Sequence, residues 1–172
     1  MPALEWSQEL CMNLPLMDET HQEFVMLLAD VQNADDAILV GRWERLVEHT
    51  QDHFNREDQW MVHTRFASSN CHSSQHEVVL NIMKEGTRRG QSGELDVIRQ
   101  MASELVVWFP AHAQAMDAAL ATHLQRVRYD PITGVVHAPE ALPAEEIHGC
   151  GDSTCSDPVA QPEDQAAREM AA

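Results

Sequence analysis

Apolar residues recur along most of this chain three and four positions apart, the interval of an α-helix with one buried face. The first stripe runs through Phe24, Leu27, Leu28, Val31 and Ile38. Asp18 is suited to cap its start and Gly41 to end it. A second segment, from about Arg42 to Thr64, places Trp43, Leu46, Val47, Thr50, His53, Phe54, Glu57, Trp60 and Met61 in phase. A third follows the cap-forming cluster Ser68-Ser69-Asn70 and carries His72, His76, Val79, Leu80 and Met83. Its stop is expected by Gly86 or Gly90. A fourth begins after Ser92-Gly93 and runs through Leu95, Ile98, Ala102, Leu105, Phe109, His112, Ala113, Met116, Leu120 and Leu124. Pro110 lies inside that last stripe and removes one donor, so a kink is expected just before His112.

Four helices with short connections predict an all-α fold, an up-down-up-down antiparallel four-helix bundle over residues 1–128. From Tyr129 onward the periodicity is lost. Asp130-Pro131-Ile132-Thr133-Gly134 reads as a turn, and Pro139, Pro143, Pro158 and Pro162 interrupt an acidic, Ala-rich stretch. Residues 129–172 are therefore expected to form an extended or disordered tail, with at most a brief helix over 163–171. No internal repeat is visible.

Charge and composition then narrow the partners. The formal net charge of −17 disfavours nucleic acid and anionic membrane surfaces. The tail holds nine of the 28 acidic residues but one of the 11 basic ones, making it the more acidic part per residue. No apolar run approaches the roughly 20 residues that span a bilayer. The start, Met1-Pro2-Ala3-Leu4-Glu5-Trp6, lacks the basic and apolar stretches of a signal peptide. A cytoplasmic monomer is expected, with thiols rather than a disulfide framework for its four cysteines.

The stripes also carry chemistry. Residues four apart on a helix lie about 40° from each other, about one turn along. His53 and Glu57 therefore share a face, as do His72 and His76. In the second segment these polar residues interrupt the apolar stripe in phase, so they face the core. His21 upstream, and His112 with Asp117 downstream, complete a set of five imidazoles and two carboxylates. That set suits a first-row transition metal, iron above all, rather than magnesium or calcium. Seven side chains are too many for one ion. Two octahedral irons offer twelve positions, of which five imidazoles, two bridging carboxylates and one solvent-derived bridging oxygen fill eleven. The position left over, buried among apolar side chains, suits one small diatomic molecule.

The order and spacing of these residues resemble a known family. His21 in Met17-Asp18-Glu19-Thr20-His21-Gln22, His53-Phe54-x-x-Glu57, His72-x-x-x-His76 and Trp108-x-x-x-His112-x-x-x-x-Asp117 are similar to bacterial hemerythrin, as is Trp6 near the start. The resemblance covers roughly residues 4–127 and matches all seven ligand positions of the family motif. It implies that His72, His76 and His112 hold one non-haem iron and His21 and His53 the other. Glu57 and Asp117 would bridge the two irons, together with an oxo or hydroxo group. It further implies reversible dioxygen binding, end-on at the iron with two imidazoles, for oxygen storage, delivery or sensing. Two positions depart from the pattern. Phe109 stands where a smaller aliphatic residue is expected beside the oxygen pocket, and Pro110 is unusual next to a ligand.

Two other functions fit such a centre: a di-iron redox enzyme (peroxidase, oxidase or nitric oxide detoxification) and an iron-handling protein. An imidazole-rich set favours reversible binding over the oxygen cleavage of Glu-rich di-iron sites. The remaining candidates are weaker. His49 lies one turn before His53 and is read as a rim residue, whereas His63, His123 and His137 are read as surface residues. Phe24, Phe54, Met61, Phe109 and Met116 are expected to pack near the ligands. Cys71 is read as a reduced cysteine in spite of its neighbour His72. Cys150 and Cys155, five apart in the tail, are suited to a reversible disulfide or an auxiliary metal site, against the simpler reading of a solvated acidic tail.

Overall fold

The structure, a computed structural model, describes residues 4–66, 71–145 and 147. Four long helices dominate it: α1 (Pro15–Gln32), α2 (Asp36–His63), α3 (Cys71–Gln91) and α4 (Leu95–His112). A π-helical segment, Ala113–Asp117, joins α4 to its continuation α5 (Ala118–Arg126). Among the described residues there is no strand, and a single isolated bridge links Tyr129 to Val136.

Each helix packs on its neighbour in sequence, and α1 also packs on α4, so the four close into a bundle. Side-chain pairings give the directions. His49 reaches the Thr20 carbonyl while Arg42 meets Asp30, so α1 and α2 are antiparallel. Glu57 faces His76 while Trp43 reaches the Met83 carbonyl, so α2 and α3 are antiparallel. His76 faces His112 while Gly90 abuts Ile98, which sets α3 against α4 in the same way. The up-down-up-down bundle expected from the apolar stripes is therefore the observed fold.

The boundaries differ from the sequence reading in two places. The first helix stops at Gln32, with the Asn33 backbone and side chain both bonded to the Ala29 carbonyl. Ile38 and Gly41 thus belong to α2, and Gly41 has open space where a side chain would stand. Asp18 lies inside α1 instead of capping it, and its carboxylate accepts the Met12 backbone N–H at 2.6 Å. Likewise Gly86 and Gly90 do not end α3. Both are buried where helices nearly touch: a Cβ at Gly86 would stand 2.5 Å from Met101 Sδ, and one at Gly90 2.4 Å from Ile98 Cδ1. The break comes at Gly93, whose φ of +93° suits a residue without a Cβ.

The segment after α5 is more ordered than its composition suggests. Asp130 accepts hydrogen bonds from the Ile132 backbone and the Thr133 hydroxyl, forming the expected turn. The chain then runs back beside α5, with the Ala138 N–H donating to Val127, and Leu142 and Ile147 pack against the core. Over residues 129–145 the expectation of an extended tail is thus corrected. Apolar residues among the prolines give this stretch a face to bury. Cys150, Cys155 and the brief helix expected over 163–171 lie outside the described residues. No helix among the described residues is long and apolar enough to cross a membrane.

Candidate metal centre

All seven residues singled out above meet in the middle of the bundle, and none is more than 3% exposed. His21 comes from α1, His53 and Glu57 from α2, His72 and His76 from α3, His112 from the end of α4, and Asp117 from the π-helical segment. The two pairs four apart face inward because they occupy apolar positions of amphipathic helices. His112 and Asp117, five apart, do not share a face on a regular α-helix, where they would lie about 140° from each other. The π-helical turn resolves this. The Ala118 N–H donates to the Ala113 carbonyl, five residues back, and the widened turn lets both side chains point at the same place. Pro110 itself is accommodated within α4. The irregularity expected before His112 therefore lies after it, and the five-residue spacing was its sequence signal.

The donor atoms fall into two overlapping groups. One contains Glu57, His72, His76, His112 and Asp117; the other contains His21, His53, Glu57 and Asp117. Within each group the ligand atoms lie within 4.8 Å of one another. Each carboxylate divides its oxygens between the groups. Glu57 Oε1 lies 3.1 Å from His53 Nε2, while Oε2 lies 3.5 Å from His72 and 3.4 Å from His76. Asp117 Oδ2 lies 3.3 Å from His21, while Oδ1 lies 3.0 Å from His72 and 3.1 Å from His112.

Most of these short approaches are not aligned as hydrogen bonds. Nε2 of His21 and His72, Oε2 of Glu57 and both Asp117 oxygens are buried without a hydrogen-bond partner among the described residues. His76 and His112 bring their Nε2 atoms to 3.2 Å, yet in neutral rings whose one N–H points from Nδ1 to Asp58 or Gln75 neither Nε2 has a proton for the other. Buried polar groups that face a common point but do not satisfy one another are costly unless a cation binds there. The residues fit a metal.

Electrostatics agree. Burial and the facing Asp117 oppose ionisation of Glu57, yet His53 and His72 hold it well below the usual carboxylate range. Asp117, also opposed by burial, is held low by His112, His21 and His72. Burial disfavours charge on His72, but Asp117 and Glu57 overcome it and raise its pKa to about 9. In the metal-free chain a proton on His72 supplies positive charge beside these carboxylates.

The surroundings of the two groups differ. On the three-imidazole side Phe54 stacks on His76, 3.9 Å between ring centres and nearly parallel, and Trp108 stacks on His112 at 4.5 Å. His76 Nδ1 bonds Asp58 at 2.9 Å, and His112 Nδ1 bonds Gln75 at 3.3 Å. On the two-imidazole side Phe109 meets His21 edge-on at 5.2 Å and stacks on Phe24 at 4.3 Å. There Nδ1 of His21 and of His53 has no aligned hydrogen bond, although the Leu10 carbonyl lies near His21. Asp58 and Gln75 are functional neighbours that the sequence reading did not identify; their signal is the i−18 and i−37 pairing, which only packing creates.

Three further histidines find their places. His49 lies outside both groups and ties α2 to α1, donating from Nε2 to the Thr20 carbonyl. His63 is exposed, as expected, and bonds Tyr129. His123 is not a surface residue: it is 4% exposed, with Nε2 on the Thr64 carbonyl and Nδ1 facing Arg126. Cys71 is disulfide-bonded rather than reduced, while Cys11 is free.

Comparison with known proteins accords with this geometry. Residues 12–124 match the family model described as the Hemerythrin HHE cation binding domain. The chain is 33% identical to a bacteriohemerythrin of Ralstonia nicotianae over 124 residues, 72% of this chain and 90% of that protein. It is 30% identical to a bacteriohemerythrin of Pseudomonas paraeruginosa, covering 69% and 79% of the two chains, and 25% identical to one of Stenotrophomonas maltophilia, covering 73% and 84%. No solved structure matches it at a significant level. A match that spans the bundle, with relatives at this identity, leads to one assignment: the chain belongs to the hemerythrin family.

Proposed function

We propose that this protein binds dioxygen reversibly at a centre of two non-haem irons. The observation that carries this reading is the division of each carboxylate between two donor groups, as two adjacent ions require of bridging ligands. His72, His76 and His112 would hold one iron, and His21 and His53 the other. Two ferrous ions there would supply an electron pair and one open coordination position.

The chain's own residues then decide how that position is used. An ion on the His21–His53 side would have one imidazole fewer than its neighbour. Phe109 and Phe24 close this side with stacked apolar rings, so water and larger anions are excluded and a diatomic molecule is preferred. Among the described residues no acidic side chain beyond Glu57 and Asp117 belongs to either group, so the set lacks the Glu-rich character of oxygen-cleaving di-iron sites. The bacteriohemerythrin relatives support the same reading.

The test is the visible spectrum of the anaerobic diferrous protein, then after air, then after oxygen is removed. A charge-transfer band that comes with oxygen and leaves with it is expected. Direct passage to the ferric state without a reversible band would overturn the proposal in favour of a redox enzyme or an iron-handling protein.

A further inference from the structure

The two halves of the centre differ most in what stands behind their imidazoles. A metal-bound imidazole is fixed by its second nitrogen, and a carboxylate there both orients the ring and makes the ligating nitrogen a stronger donor. Among the described residues, His76 has such a carboxylate: Nδ1 donates to Asp58 Oδ1 at 2.9 Å. The Phe54 ring, almost parallel to the imidazole at 3.9 Å, restrains the same ring from its face. His112 has the neutral Gln75 at 3.3 Å, while Nδ1 of His21, His53 and His72 has no aligned partner.

Asp58 also reaches the surface. Its side chain is 39% exposed and lines a groove of about 420 Å³ between α2 and α3, with Asn55, Ser73, Ser74 and Glu77. Inside the bundle it presents one oxygen to the imidazole; outside, it is solvated. Asp58 thus links the three-imidazole half of the centre to the surface.

We propose that Asp58 is a positioning residue that, through His76, makes the three-imidazole half the tighter of two metal positions. This rests on the two-metal reading above. Asp58 belongs to neither donor group itself. It acts by locking the His76 tautomer with Nε2 free for metal and by strengthening that nitrogen.

The experiment titrates the metal-free full chain with cobalt(II), whose visible bands report each site's geometry, alongside Asp58→Asn, Asp58→Ala and Asp58→Glu. Two steps of unequal affinity are expected in the unmodified chain. Asp58→Ala should weaken the tighter step about 10- to 100-fold and shift its bands, leaving the looser step unchanged. Asp58→Asn, which keeps an acceptor but loses the charge, should fall between. Asp58→Glu should restore part of the affinity. Since residue 58 is half-exposed on a helix, the variants should keep the helical content and melting temperature of the metal-free parent. A purely structural role would not separate Asn from Asp. Two cobalt ions bound by every variant with unchanged affinities and bands would overturn the proposal while leaving the two-metal reading intact. Fewer than two ions in the unmodified chain would overturn both.

Discussion

Two parts of the bundle solve the problem of packing four helices in different ways. Around Trp43 the helices are held by contact. Trp43 is fully buried, its indole N–H donates to the Met83 carbonyl at 3.1 Å, and Gly86 and Gly90 bring α3 against Met101 and Ile98. The packing there is apolar, and the buried indole N–H finds its acceptor within the chain. Around Glu57 and Asp117 the helices meet through seven buried polar side chains, several of which have no partner. The first half is held by the chain's own contacts, whereas the second leaves donor atoms facing one another without hydrogen-bond partners among the described residues, as a metal site requires. His123 completes the comparison: it is a buried imidazole too, but Thr64 and Arg126 serve both its nitrogens. Burial of polar groups is thus not itself a mark of a metal site; burial without internal partners is.

Breaking the donor-lined half should have the largest effect. Glu57→Ala removes the carboxylate shared by both groups and is expected to release metal and cost about 3–5 kcal/mol in the metal-loaded protein. Bound metal and urea unfolding measure this, and full metal content would refute the bridging role. Chelation of the unmodified protein should act locally. Hydrogen exchange should quicken around 53–57 and 72–76 but little around 39–46, where the packing is apolar.

Damage to the contact-held half should be smaller and leave the metal alone. Gly86→Leu forces a side chain against Met101 and the rigid Trp43 indole, 3.3 Å from the new Cβ, and should cost about 1–3 kcal/mol. Bound metal should stay at the level of the parent. A parallel loss of metal would mean that the two halves are coupled.

Acid provides a finer distinction. Burial holds His123 below its ordinary value of 6.5, only partly offset by the Thr64 hydrogen bond, and the facing Arg126 also disfavours its charge. The unfolded chain therefore binds this proton first, so the contribution is whole above pH 6.5 and is lost as pH falls below it, through the folded value. Burial lowers His49 in the same sense. His123→Gln should flatten the fall of stability with acid relative to the parent, a comparison in which the donor set's own titration cancels. An unchanged slope would place the proton elsewhere. The smallest effect belongs to His49→Ala, which loses one helix-to-helix hydrogen bond, about 0.5–1.5 kcal/mol. Bound metal should stay at the level of the parent; a loss would make His49 a ligand.

The sequence by itself determined the helical periodicity, the four-helix order and the seven donor residues. These are local or nearly local patterns: three-and-four spacing gives a buried face, and polar residues in phase with that face must point inward. Helix ends were less legible. Gly41, Gly86 and Gly90 look alike as breakers, and only packing separates the glycine facing open space from the two pressed between helices. The five-residue step from His112 to Asp117 carried its own signal, but a π-helical turn is adopted because distant side chains draw both residues to one point. The tertiary structure alone decided how the carboxylate oxygens divide between two donor groups. It also decided that Asp58 stands behind His76, that His123 is buried, and that residues 130–145 fold back on the bundle. Each of these depends on contacts between residues far apart in the chain, and no local pattern encodes such a distance.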